Sequence, residues 1–140
     1  MRRALALLFF LLTAPLGARA DEAGAKVLHD AGKWESGYGA KFYNVVGALE
    51  NTSGHALRYV KVRIDALDGD GKVIGSTDTY NESAEVLSAP EVDPQKMLAS
   101  GKVKPLPAGA EERFRGGFMA DELPAVKSHR VSIVETPPAP

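Results

Sequence analysis

The sequence predicts an all-β antiparallel sandwich with one short helix in a long inserted connection. Three observations point there: two-residue alternation of apolar side chains in several short runs, turn chemistry between the runs, and a single helix-capping signal. Residues 42–50 form the first clear strand, with Tyr43, Val45, Gly47 and Leu49 on one face. Asn51-Thr52-Ser53-Gly54 follows as a turn. Residues 57–67 alternate most strongly, Val60, Val62, Ile64 and Ala66 against Lys61, Arg63 and Asp65. One dry face and one wet face are expected of an antiparallel sheet. Asp68-Gly69-Asp70-Gly71 is a tight turn, and residues 73–80 return as the partner strand.

Residues 81–109 are too long for a connection without structure of its own. Asp93 is placed to cap a helix, Pro94 to open it and Gly101 to end it, which predicts a helix over 95–100. Residues 112–119 then set Phe114, Gly116 and Phe118 inward and Arg113 and Arg115 outward. Residues 130–135 close the fold with Val131 and Ile133 on one face. The proline-rich tail over 136–140 cannot enter a sheet interior, because proline lacks the N–H a ladder needs. Residues 21–41, rich in Gly and Ala and weakly periodic, read as an irregular segment with a short strand at 26–28. Trp34, the only tryptophan, is expected to cap one end of the core.

The chain of 140 residues fits a single domain, and 44% hydrophobic content suits a folded core. Arg2 and Arg3 precede an apolar run over 4–12, and Pro15 and Gly17 break it. Ala18-Arg19-Ala20 then has the small-x-small form of a cleavage site, so residues 1–20 read as a signal peptide. The apolar run is shorter than the roughly 20 residues a bilayer span requires. No cysteine follows it to carry a lipid anchor. The mature chain is therefore expected outside the cytoplasm, periplasmic or secreted, with no membrane span.

Arg2, Arg3 and Arg19 lie in the leader, so 14 of the 17 basic residues remain beside 18 acidic ones, a balance of −4. That charge argues against nucleic acid as the partner. The absence of cysteine excludes disulfides, thiolate metal sites and cysteine nucleophiles.

Three blocks carry a family resemblance: Val46-Gly47-x-Leu49-x-Asn51-Thr52-Ser53, Val60-x-Val62-x-Ile64, and Asp68-x-Asp70-Gly71-Lys72-Val73-Ile74-Gly75. Together they resemble the FxLYD family of small immunoglobulin-like domains of exported or membrane-attached bacterial proteins. Leu106-Pro107-x-Gly109 before Phe114, and Val131-Ser132-Ile133, are similar in kind. The blocks cover most of 42–134. Ala66-Leu67 departs from the Leu-Tyr the family sets before its aspartate, and the connection before Leu106 is longer. The resemblance implies an immunoglobulin-like sandwich over 42–135 and a non-catalytic accessory role without a cofactor.

No catalytic constellation is visible in the motifs. G-x-S-x-G is missing, and Ser128 and His129, as chain neighbours on a strand, point to opposite faces. Ser100-Gly101-Lys102 lacks the upstream glycine of a phosphate loop. His29, His55 and His129 have no metal-ligand spacing, and Met97 and Met119 are isolated. Asp68-x-Asp70 begins like a calcium loop, but Lys72 takes the next ligand position, so a turn explains it better. Asn51-Thr52-Ser53 and Asn81-Glu82-Ser83 fit the glycosylation sequon but read more simply as turns.

Lys61, Arg63, Arg113 and Arg115 fall on wet strand faces and form a basic binding patch if their strands share a sheet. Met97 and Leu98, in the inserted stretch 81–104, either bind a partner or cover an open edge of the core. The leading expectation is a non-catalytic module that binds a protein or envelope component. The alternative is a small-ligand or metal-ion carrier using His29, His55 or the Asp68/Asp70 turn. Mass spectrometry of the exported protein is expected to give a chain beginning at Asp21; an intact Met1 terminus contradicts cleavage of the leader.

Overall fold

The computed structural model describes residues 24–140, so the leader expected over 1–20 lies outside the described residues. The elements run β1 (Ala25–Gly37), β2 (Ala40–Asn51), β3 (Lys61–Leu67), β4 (Val73–Tyr80), a 3₁₀ segment (Glu82–Ser88), α1 (Pro94–Ala99), β5 (Glu111–Met119) and β6 (Ser128–Glu135). They form two three-stranded antiparallel sheets, β1-β2-β5 and β4-β3-β6. The expected all-β sandwich is the fold.

Alternation explains the layering. Tyr43, Val45 and Leu49 of β2 and Phe114 and Phe118 of β5 present one buried stripe. Val62, Ile64 and Ala66 of β3 present the other, and each is fully buried. Each large side chain removed from water contributes about 1.5–3 kcal/mol, so the seam between the stripes dominates stability. Leu57, Val60 and Leu106 extend the seam at one end, and Val126 closes it at the other.

Gly47 lies directly across from Phe114 in the β2–β5 ladder. A Cβ there comes within 2.5 Å of Phe114 Cζ and 2.6 Å of the His29 carbonyl oxygen. The ring thus occupies the space that a side chain at 47 needs.

The segment expected to be irregular over 21–41 is ordered where it is described: 25–37 form β1, the longest strand among the described residues. Its faces conceal it in the sequence. Asp30, Gly32, Trp34 and Ser36 alternate with His29, Ala31, Lys33 and Glu35, so no apolar stripe appears on either side. A rim strand at the sheet edge needs none. Trp34 caps the core end as expected, edge-on to Tyr43 with ring centroids 5.6 Å apart. Its indole N–H donates to the Val126 carbonyl at 3.1 Å, tying β1 to the connection that leads into β6.

The strand expected over 57–67 enters its ladder only at Lys61. Leu57 makes an isolated bridge to Leu106, and the Val60 N–H donates to the Asn81 side chain at 2.8 Å. The helix lies one residue earlier than expected, over 94–99. Asp93 caps it by accepting from the Gln95 and Lys96 amides at 3.0 and 3.3 Å, and Gly101 follows at φ +75°. The tail straps the chain at 56–58: Arg58 N–H donates to the Pro137 carbonyl at 2.8 Å and Ala139 N–H to the Ala56 carbonyl at 3.0 Å. Prolines serve there because the tail needs few donors.

Gly47→Ala is expected to lower unfolding free energy by about 1–3 kcal/mol, as overpacking does. Urea denaturation checks it, with Gly69→Ala as a near-neutral control whose Cβ meets only Lys127 Cγ at 3.9 Å. Equal midpoints for both variants contradict the close Phe114 contact.

Candidate functional site

The outer face of the β1-β2-β5 sheet carries a trough of about 420 Å³. Its shape follows from register. Ala31, Val46 and Arg115 lie side by side across the three strands, as do His29, Ala48 and Arg113. Val46 on the central strand and Ala31 beside it make a floor, with His29 on one side and Arg113 and Arg115 on the other as walls. The walls stand two strand spacings apart, about 10 Å. Val46, at 55% exposure, is the apolar group that the floor offers to solvent.

The arginine wall is held from behind by the 3₁₀ segment. Arg115 donates through Nε and Nη2 to Glu85 Oε1 at 3.1 and 2.8 Å, and Arg113 Nη2 lies 3.8 Å from Glu82. A 3₁₀ turn advances about 6 Å in three residues and a strand about 6.6 Å in two, so the two glutamates match the two arginines. These exposed pairs orient side chains more than they stabilise the fold.

The predicted basic quartet does not form a patch. Lys61 and Arg63 lie on β3, in the opposite sheet from Arg113 and Arg115 of β5. Both are drawn to Asp78: Arg63 makes two hydrogen bonds to it at 2.9 and 3.1 Å, and Lys61 lies 3.8 Å away. The Arg63 hydrogen bonds outweigh burial and hold the Asp78 carboxyl below the usual range. Alternation reveals that a residue faces water; it does not reveal which sheet the strand joins.

Met97 and Leu98 are half-buried, packed with Tyr59 and Tyr80 around the buried Ala84, Leu87 and Val103. The inserted stretch therefore covers the Tyr59–Tyr80 pair, whose rings meet edge to face at 5.3 Å. A shallow hollow of about 710 Å³ remains between α1, Arg58, Lys61 and the tail.

Two asparagines lock the connections. Asn51 donates to the carbonyls of His55, Leu106 and Pro107 at 2.8–3.0 Å and accepts from Ser53 N–H. Asn81 exchanges backbone and side-chain bonds with Val60 and donates to Glu112 at 2.9 Å. Both are buried, 1% and 0% exposed, so both sequons serve as structural turns.

The three histidines do not converge. His29 stands on the trough wall, and His55 sits in the turn after β2 with Nδ1 3.2 Å from the Ala56 carbonyl. His129 lies between the layers, its Nε2 2.5 Å from Asp30 Oδ1 and its Nδ1 3.0 Å from the Tyr43 hydroxyl. With the Asp30 carboxylate accepting from Nε2–H, Nδ1 of the neutral ring accepts from the tyrosine hydroxyl. Burial, then the Asp30 charge, raises the Tyr43 pKa. A Cβ on Gly32 comes within 2.5 Å of the Tyr43 hydroxyl oxygen and 2.7 Å of His129 Nδ1, so glycine is required beside the chain of bonds. No sequence spacing signals this set, since Asp30 and His129 are 99 residues apart. Asp68 spends one carboxylate oxygen on the Asp70 and Lys72 amides of its own turn, both at 2.9 Å, which lowers its pKa. Among the described residues no group of three or more His, Asp or Glu is placed to hold a metal ion.

Comparison with protein-family models, curated proteins and solved structures finds no match.

Glu112 anchors the insertion to β5. Burial acts to raise its pKa, but the hydrogen bonds from the Ser83 hydroxyl, the Ser83 amide and Asn81 together outweigh it and lower it. A depressed folded pKa contributes stability above the unfolded value, near 4.5, that is lost as pH falls through the folded value. Wild type is expected to exceed Glu112→Gln in stability at pH 6–7, with the gap closing below about pH 4. Thermal melts across that range check it; a gap independent of pH contradicts the anchor.

Proposed function

We infer that this chain is an exported, non-catalytic, immunoglobulin-like binding module whose β1-β2-β5 face docks a protein or other envelope component. The observation that carries the reading is the trough: solvent-facing Val46 beside Ala31, between His29 and two arginines, of which Arg115 is held by Glu85. Interfaces characteristically combine an apolar centre with a polar rim in which arginine is enriched. The leader pattern and the FxLYD resemblance support the same reading. So does the hydroxyl–imidazole–carboxylate set among the described residues, because its hydroxyl belongs to Tyr43, 5% exposed and turned into the core. Among the described residues no helix is long and apolar enough to cross a membrane.

A second reading, a small-ligand carrier, draws on the trough volume, which falls within the range of roughly 300–1,000 Å³ typical of ligand sites. Photo-cross-linking in the native compartment separates the two. A cross-linking residue at Val46 is expected to yield a discrete protein adduct, and the same residue at Val73, 41% exposed on the other sheet, none. Equal labelling at both positions contradicts docking on this face. A small-molecule adduct alone selects the carrier.

A further inference from the structure

β1 is the outer strand of its sheet, 13 residues long, and among the described residues no strand pairs with its other edge. The two-residue turn after it makes Gly37 and Ala40 a hydrogen-bonded pair. Alternation then sends the N–H and C=O groups of His29, Ala31, Lys33, Glu35 and Gly37 toward β2. Those of Asp30, Gly32, Trp34 and Ser36 point away, to the free edge. The register irregularity between Val27 and His29 confines the flat, pairable run to residues 29–37. By contrast, the outer edge of β5 is met by Asn81, which bridges Phe114, and by the Thr79 hydroxyl, which donates to the Arg115 carbonyl at 2.7 Å.

We propose that β1 pairs antiparallel with β1 of a second copy of this chain, joining two three-stranded sheets into one of six strands. Charge selects the occupant and the register. Lys33 and Glu35 project from the same outer face, 3.7 Å apart with side chains 76% and 45% exposed, so a weak exposed pair within one chain is exchanged for pairs between two. Asn44 donates to Glu35 at 2.7 Å and fixes its direction. About a two-fold axis at Trp34, Lys33 of each copy lies opposite Glu35 of the other in a non-hydrogen-bonded pair, where side chains approach most closely. Gly32 then exchanges main-chain bonds with Ser36, and Trp34 with Trp34. The neighbouring register sets Lys33 against Lys33 and is disfavoured by like charge. The chosen register also covers Trp34, which in the single chain remains 37% exposed beside the edge. An isologous contact of this kind closes at two copies and leaves no growing edge.

Sedimentation velocity on the purified protein tests the pairing, with Trp34 fluorescence as a second readout. A reversible dimer is expected, with Lys33→Glu and Glu35→Lys each raising the dissociation constant about tenfold through two repulsive pairs. The double variant Lys33→Glu/Glu35→Lys restores opposite charges and is expected to return to within about threefold of wild type. A monomer at all concentrations up to about 1 mM overturns the proposal. So does a dimer indifferent to the single reversals, or one that the double variant fails to recover. Val46→Glu, in the trough, is expected to leave the dimer intact, so loss of docking and loss of self-association are separately visible.

Discussion

The molecule depends on a single dry seam, where the Tyr43–Val45–Leu49 and Phe114–Phe118 stripes meet Val62, Ile64 and Ala66. With no cysteine, no disulfide supplements that contact. Small sandwiches without covalent staples survive only by packing well and leaving no polar group stranded. Gly47 yields its place to the Phe114 ring, and among the described residues no buried side-chain nitrogen or oxygen lacks a hydrogen-bond partner. Polar locks finish what the seam begins: Asn51 and Asn81 at the connections, and Asp30–His129–Tyr43 between β1 and β6.

The functional surface is a by-product of the same geometry. Because β2 is central, its inward positions Tyr43, Val45 and Leu49 fill the seam, with Gly47 yielding to Phe114, while Val46 faces out. Val46 and the adjoining Ala31, low between His29 and the two arginines, make the trough. The 3₁₀ segment fills a second role, guarding the β5 edge while its glutamates steady the arginine wall. The insertion that looks in sequence like the place to bind a partner is largely occupied with covering Tyr59 and Tyr80.

What could be read from the sequence followed one rule, that burial on one face imposes a period of two. β2, β3, β5 and β6 obey it, and their inward residues are legible, as are the Asp93 cap and the exit at Gly101; β4, whose inward positions are Gly75, Thr77 and Thr79, is legible only as the return from the Asp68–Gly71 turn. β1 escaped because it contributes a rim rather than a face: Asp30 and Ser36 occupy inward positions that a central strand gives to apolar residues. The 3₁₀ segment has no periodic signature that short runs can show. The candidate site was half legible. Alternation marks Arg113 and Arg115 as outward but is silent on strand order, so a patch shared with Lys61 and Arg63 depends on a common sheet, and the strands lie in opposite ones. His29 and Val46 joined Arg113 and Arg115 only through register. The His129 lock, built from residues in β1, β2 and β6, is a property of the closed sandwich alone.

Native-state hydrogen exchange tests the governing role of the seam most directly. Amides of β2 and β3 sit on opposite sides of it and are expected to exchange slowest, with one shared opening free energy equal to global unfolding. Those of α1 and the 3₁₀ segment should exchange by smaller, local openings. If β2 and β3 open with clearly different free energies, or α1 proves as protected as either, the two layers are not one cooperative unit and the account fails.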